Sequence, residues 1–382
     1  MYIIIGADFV PTNSNTDLFI NGDTTALVGD ELKLLLDEAS YRIFNLEIPL
    51  TDRTSPIMKE GPNLIAPTDT VEGYRALGVN LLTLANNHIL DQDVQGLQST
   101  VESLDSVGIC HVGTGDDLNS AASPYIFSFN DKRIGVYACV EHEFSVAEEE
   151  KPGANPFDPL YSFDDVSDLR NKTDYVIVLY HGGKEHYRYP SPMLQKVCRR
   201  FIDKGANIVL CQHSHCIGCE EKYKDGTIIY GQGNFIFDDS DDECWQTSML
   251  VKIDESFKIS YVPLAKSGNG VRLADKQQSQ EILKEFSLRS EEVKQPGFVE
   301  RQYKQFADTY LDFYLRAISG RKSLWFRVLN KLSGGYYTSW YLRRTYRKMN
   351  NVKISNYIDC EAHRELFSQA ILNSYNCGGE TQ

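Results

Sequence analysis

The chain has 382 residues, 42% of them hydrophobic, enough for one large folded domain with an appendage or for two domains. Its net charge of −14 is unevenly spread: residues 1–275 hold 22 basic and 42 acidic side chains, residues 276–382 hold 17 and 11. An acidic body excludes a general nucleic-acid binder, and no apolar run approaches the roughly 20 residues that span a bilayer.

Nine cysteines, several inside apparent core elements (Cys139, Cys198, Cys211), fit reduced thiols better than a disulfide framework. The strand reading begins at Tyr2, with no basic and apolar leader before it, so a cytoplasmic location is expected.

In chain order, strand-like and helix-like runs alternate as far as about residue 235, the signature of βαβ units. Helical periodicity covers residues 30–39, then 70–77 closed by Gly78, then 94–107 closed by Gly108. Ser191-Pro192 opens a further helix that runs to Lys204 and stops at Gly205. Residues 141–165, rich in Pro and acid, read as a long connection, either a lid or a plain surface loop. After Gly233 the pattern is strand-only, with 249–253 and 259–262 alternating as an antiparallel pair. From about 276 the chain reads helical. A mixed sheet, or two stacked sheets with outer helices, is the expected result.

Five of the hydrophobic runs lead to residues able to bind a metal. Ile3-Ile4-Ile5 leads to Asp8, Ile43-Phe44-Asn45-Leu46 to Glu47, and Leu81 to Ala85 to Asn86-Asn87-His88. Tyr175 to Tyr180 leads to His181, and Ile208 to Cys211 to Gln212-His213-Ser214-His215. Ligands of open α/β sheets gather outside the carboxyl ends of the strands. Singly, each has a plain alternative: a turn or cap for Asp8, a strand end before Pro49 for Glu47, an Asn turn at 86–87. In order, each at a strand end, they point to one metal site. Asp8 and Glu47 supply carboxylates, Asn87 a carbonyl oxygen, and His181, His213 and His215 imidazoles, with His88 facing substrate. In an extended segment His213 and His215 would point the same way.

Other signals are weaker. Cys211, Cys216 and Cys219 with His213 and His215 lack the second CxxC pair of a zinc knot and read as core or loop residues. Asp238 to Glu243 reads as a solvated acidic loop. Residues 313–358 contain ten basic side chains (Arg316, Arg321, Lys322, Arg327, Lys331, Arg343, Arg344, Arg347, Lys348, Lys353) and no acidic one. Leu324, Trp325, Val328, Leu329 and Leu332 form one face of a helix there. That face either packs on the acidic body or meets an anionic membrane as a peripheral contact.

Six blocks carry a resemblance: GADFVPT (6–12), NLEIPLT (45–51), LANNHILD (84–91), HGGKEHYRYPSP (181–192), QHSHCIG (212–218) and IIYGQGNFIFD (228–238). In order, over about residues 2–265, they resemble the CapA family of bacterial capsule and poly-γ-glutamate synthesis, placed among the calcineurin-like metallophosphoesterases. The resemblance implies an α/β fold, a four-layer αββα metallophosphoesterase-like sandwich over residues 1–270; the basic helical region over 276–382 is read from the residues themselves. It implies one or two divalent ions (Mn, Fe or Zn) held by Asp8, Glu47 as bridge, Asn87, His181, His213 and His215. His88 would be the general acid or phosphate contact, Glu185 a second catalytic candidate that orients a ligand or contacts substrate, and Asn234 a hydrogen-bonding support. The chain departs from the phosphoesterase pattern in having Asp8-Phe9-Val10 for Asp-x-His, Glu47 for Asp, and Gln212 for Gly.

The expected function is therefore a metal-dependent hydrolase of a phosphate ester or related acyl or amide bond, acting through metal-activated water. The alternative is a non-catalytic assembly or regulatory subunit of a capsule-synthesis complex. Expected partners are an anionic polymer or phosphorylated small molecule, and the capsule-synthesis machinery.

Overall fold

The computed structural model describes residues 1–368 apart from 239, 320–323, 347 and 361; of 312, 316–319, 324, 339, 348–351 and 359 it describes the backbone alone. Asp239, Arg321, Lys322 and Arg347 thus lie outside the described residues. Two compact units are present, Met1–Tyr303 and the residues from Lys304 onward.

In the first unit, Tyr2–Val10 is the pivot of one sheet. Its nine residues are all buried, as expected of a strand covered on both faces. Tyr41–Asn45, Leu81–Thr83 and Cys110–Val112 follow it in parallel on one side. On the other side Thr247–Asp254, Ile259–Ser267 and Gly270–Leu273 run antiparallel to one another, the first also antiparallel to Tyr2–Val10. The pair expected at 249–253 and 259–262 is the middle of this meander. The short strand Ile236–Phe237 lies parallel to the end of Tyr2–Val10, Phe9 opposite Ile236. The second sheet has the order Glu220–Tyr223, Gly226–Ile229, Ile208–Gln212, Tyr175–His181, Lys132–Val140, Tyr125–Phe129.

The sheets stack face to face. Ile3, Ile5, Ile43 and Leu81 of the first meet Ile134, Ile177, Leu179 and Leu210 of the second in one apolar layer. Each such side chain contributes about 1.5–3 kcal/mol by leaving water. The outer face of the first sheet is covered by Thr24–Asp37, Val71–Ala76 and Asp93–Ser106 through Leu32, Leu36, Tyr74 and Leu97. That of the second is covered by Ser162–Lys172 and Pro192–Asp203 through Val166, Leu169, Cys198 and Phe201. These are the four layers expected.

Local signals explain most boundaries. Ser191 caps Pro192–Asp203 by accepting from Leu194 N at 3.0 Å. The helix expected at 30–39 forms the second part of Thr24–Asp37, divided from the first at Gly29, at φ 70°; Asp23 caps the first part by accepting from Ala26 N at 2.9 Å. The connection 141–165 contains the strand Gly153–Ala154, paired with Thr114–Gly115, and the start of Ser162–Lys172. Helix Lys276–Glu292 belongs to the first unit, with Phe286 packed beside Ile217, Met249 and Tyr261. Cysteines 139, 198, 211, 216 and 219 are buried free thiols, as expected of core residues.

The second unit is helical in its described residues: Leu324–Leu332, Tyr336–Thr345 and Lys348–Asp359 follow the end of Phe298–Ser319. Phe326 packs edge-on against Tyr337 and Tyr341. Trp325, Val328, Leu329 and Leu332 are exposed along one helical stripe. Among the described residues no helix is long and apolar enough to cross a membrane.

Candidate metal centre

The chain delivers its ligands from the ends of adjacent parallel strands. Asp8 lies opposite Asn45, just after a register shift that follows Ile5 in the Tyr2–Val10/Tyr41–Asn45 pair. Glu47 follows two residues after Asn45. His181 ends Tyr175–His181 and is paired with Gln212, so His213 begins where the neighbouring strand stops. Asp8, Glu47, Asn87, His181, His213 and His215 are all buried.

They form two groups that share one carboxylate. Glu47, His181 and His213 offer donor atoms within 4.8 Å of one another, and so do Asp8, Glu47 and His215. In the first, His181 Nε2 is 3.2 Å from Glu47 Oε1, 3.1 Å from His213 Nδ1 and 2.9 Å from Asn87 Oδ1. In the second, His215 Nδ1 is 3.3 Å from Asp8 Oδ2. The structure thus brings all six expected ligands together, with Glu47 at the junction.

The His-x-His pair reaches the site differently from the expectation. Residues 213–215 are not extended: His213 has φ 81° and His215 φ 53°, both left-handed. Non-glycine residues adopt this region at a steric cost, on the order of 1–3 kcal/mol each. Their rings lie 6.0 Å apart, one in each group. Backbone reversal, not strand alternation, aims them.

The buried carboxylates and imidazoles shift one another's protonation. Burial alone would raise the Glu47 carboxyl, but the charges of His181 and His215 hold it well below the usual carboxylate range. Burial disfavours charged imidazolium at His213, yet Glu47 overrides it and raises its pKa. At His215 burial is again outweighed, here by Asp8 and Glu47, and the pKa is pushed up to about 9. Both Glu47 oxygens are fully enclosed and have no hydrogen-bond partner among the described residues, with His181 Nε2 3.2 Å from Oε1. An acceptor left so costs about 1–3 kcal/mol, more when charged. A divalent ion in each group would satisfy those oxygens, and the oxygen–nitrogen donor set suits Mn, Fe or Zn.

His88 and Glu185 stand outside the two groups. His88 Nδ1 is 2.6 Å from Asp91 Oδ2, which leaves Nε2 for proton exchange. Glu185, at the rim and half-exposed, lies 3.8 Å from Lys184 Nζ, and its charge acts on His213.

Several contributors escape the sequence reading. Asn45 Nδ2 donates to Asp8 Oδ1 at 2.8 Å, and Asn86 Nδ2 donates to Asn45 Oδ1 at 3.1 Å, a buried chain behind the carboxylates. Asp91, three residues beyond His88 in the same block, accepts from buried Lys59 at 2.5 Å. Asn45 and Asp91 lie within recognisable blocks and were legible in principle; Lys59 arrives from a loop with no motif. Trp245 stacks near His215, ring centroids 4.7 Å apart, and its Nε1 donates to His186 Nε2 at 3.0 Å.

A family model described as bacterial capsule synthesis protein PGA_cap matches residues 9–239. The capsule biosynthesis protein CapA of Bacillus anthracis is 28% identical over 212 residues, 53% of this chain and 52% of that protein. The PGA biosynthesis protein CapA of Bacillus subtilis (strain 168) is 28% identical over 173 residues, 44% of this chain and 46% of that one. The chain spans about half the length of the curated relatives it matches. Among solved structures it is similar to a putative 5′-nucleotidase from Staphylococcus aureus, at 13% identity and a TM-score of 0.42, over 75% of this chain and 58% of that one. That overlap is loose, and the fold stands on its own sheet order and register. The match over 9–239 covers more than half the sequence and every candidate ligand of the centre except Asp8, which lies one residue before it. The chain belongs to the bacterial capsule synthesis family PGA_cap, the family of the CapA proteins.

Proposed function

We propose that this protein is a metal-dependent hydrolase acting on a phosphate ester, or a related acyl or amide bond, in the making or processing of a bacterial surface polymer. One observation carries the reading: buried Glu47, both oxygens without a hydrogen bond, sits between two groups of convergent donors. The chemistry that divalent ions supply in such a site is Lewis-acid activation of water and of a substrate oxygen. Asp8, Glu47, Asn87, His181, His213 and His215 would hold them. His88 gives a proton to the leaving group, kept in its tautomer and orientation by Asp91. Glu185 meets substrate from the rim.

The partners under this reading are an anionic polymer or phosphorylated small molecule, the capsule-synthesis machinery, and an anionic membrane surface met by 313–358. A second reading, a non-catalytic assembly subunit, is favoured by Val10. This residue stands where phosphoesterases carry a histidine and is packed into the apolar core.

Elemental analysis of the purified protein beside a His213→Ala/His215→Ala double mutant tests the proposal, followed by a screen of phosphate and amide substrates. Mn, Fe or Zn bound by the wild type and lost in the mutant, with turnover of one substrate class, is the expected result. A wild type that takes up no metal on reconstitution sinks the hydrolase reading. Metal without turnover favours the assembly subunit.

A further inference from the structure

The two ligand groups are unequal. Beside Glu47, His181 and His213, Asn87 Oδ1 stands 2.9 Å from His181 Nε2, so four protein donors converge there. The other group has three: Asp8, Glu47 and His215. Val10, further along the same strand as Asp8, adds nothing, because its side chain is apolar and enclosed in the core.

Another segment supplies a donor at that end. Ile236–Phe237 pairs in parallel with Phe9 and Val10, and Phe235 N donates to Asp8 O at 2.9 Å. That pairing carries Asn234 to the site. Asn234 Oδ1 lies 2.9 Å from His215 Nδ1, the nitrogen that is also 3.3 Å from Asp8 Oδ2. Its side-chain nitrogen is buried and has no hydrogen-bond partner among the described residues, so Oδ1 is the working end of this amide.

We infer that Asn234 is a protein ligand of the second ion position, its Oδ1 completing the group of Asp8, Glu47 and His215. The inference rests on the metal-site reading above. Asn234 Oδ1 and Asp8 Oδ2 both lie within 3.3 Å of His215 Nδ1, so two oxygen donors and an imidazole nitrogen converge at this end of the centre. The amide carbonyl then acts as an oxygen ligand from a neighbouring strand, where Val10 offers none.

The test is Mn²⁺ and Zn²⁺ binding by titration calorimetry and elemental analysis on the full chain, comparing wild type with Asn234→Leu and Asn234→Asp. Leucine keeps the branching pattern and removes the donor; aspartate keeps an oxygen donor and controls for folding. The wild type is expected to bind two ions. In N234L the second should weaken by about 100-fold or more with the first unchanged, while N234D should retain both. Two ions bound by N234L at wild-type affinity overturn the inference and leave the metal site standing. A single ion in the wild type, whatever the variants do, also overturns it and leaves a one-ion site. No ion in the wild type removes the site and the inference together.

Discussion

His88 and Asp91 are joined Nδ1 to Oδ2 at 2.6 Å, and the other oxygen of the same carboxylate receives Lys59 at 2.5 Å. The Lys59 and Asp91 side chains are almost fully enclosed, so a charged pair has been taken out of water beside the centre. Such a pair adds little net stability when intact, but removing one partner strands the other's charge. Asp91→Ala should therefore destabilise the first unit by about 3–5 kcal/mol. Adding Lys59→Met should recover much of that loss. Urea unfolding of the single and double variants checks this; equal loss in both would mean that the charge of Lys59 is not the cause.

For His88 the expectation is catalytic. His88→Ala should lower turnover of the substrate class found by screening by roughly 10²–10⁴-fold, with metal content unchanged. Steady-state kinetics beside elemental analysis separates the two effects. Unchanged turnover would remove His88 from the mechanism.

Asn45 touches Asp8 from behind, its Nδ2 donating to Oδ1. Partners of this kind orient a ligating carboxylate and typically contribute 10–100-fold in metal affinity. Asn45→Ala should weaken binding by about that factor, read by competition with a chromophoric chelator. An affinity equal to wild type would show that the strand alone fixes Asp8.

The metal-stripped protein should lose stability as pH rises. His215 has a folded pKa of about 9, above its ordinary 6.5. The folded state thus binds this proton more tightly than the unfolded chain does. The resulting stabilisation is complete below pH 6.5 and is lost as pH climbs through 9. His213, also raised, acts in the same direction. Glu47 is lowered, so its contribution is present above its ordinary 4.5 and disappears only in acid, outside this window. Melting temperature in chelator should fall from pH 6.5 to 9, whereas metal affinity should rise as protons cease to compete. A flat or rising melting temperature would contradict the assignment of His215.

The exposed stripe of Trp325, Val328, Leu329 and Leu332 lies in a stretch with basic but no acidic side chains. Vesicles containing acidic lipid should sediment the protein at low salt and release it as salt is raised. Trp325→Ala/Leu332→Ala should reduce the bound fraction. No sedimentation at low salt would end the membrane assignment.

The sequence showed the strands and the order of the ligand blocks because both depend on local pattern. An apolar run ending in Asp8 or His181 is visible without knowing its neighbour. What remained hidden depends on long-range pairing or unusual backbone. Nothing in Gln212-His213-Ser214-His215 announces left-handed residues at 213 and 215, which are strained and held only by the surrounding fold. Lys59 lies in an irregular loop, and its enclosure follows from packing beside Asp91. Asn234 is the hydrogen-bonding support expected, but its partner, His215, follows from Ile236–Phe237 adding to the first sheet, a long-range pairing that local pattern does not show.

The wide spacing of the ligands also bears on how the molecule is made. During synthesis Asp8 leaves the ribosome well before His213 and His215, which follow only after much of both sheets has been translated. Domains tend to fold as units once their contacts are available, and here the shared carboxylate has no full set of imidazoles until His215 has emerged. No amino-terminal fragment that stops short of His213 contains either complete group. A divalent ion can therefore reward the finished sandwich, but it cannot seed it.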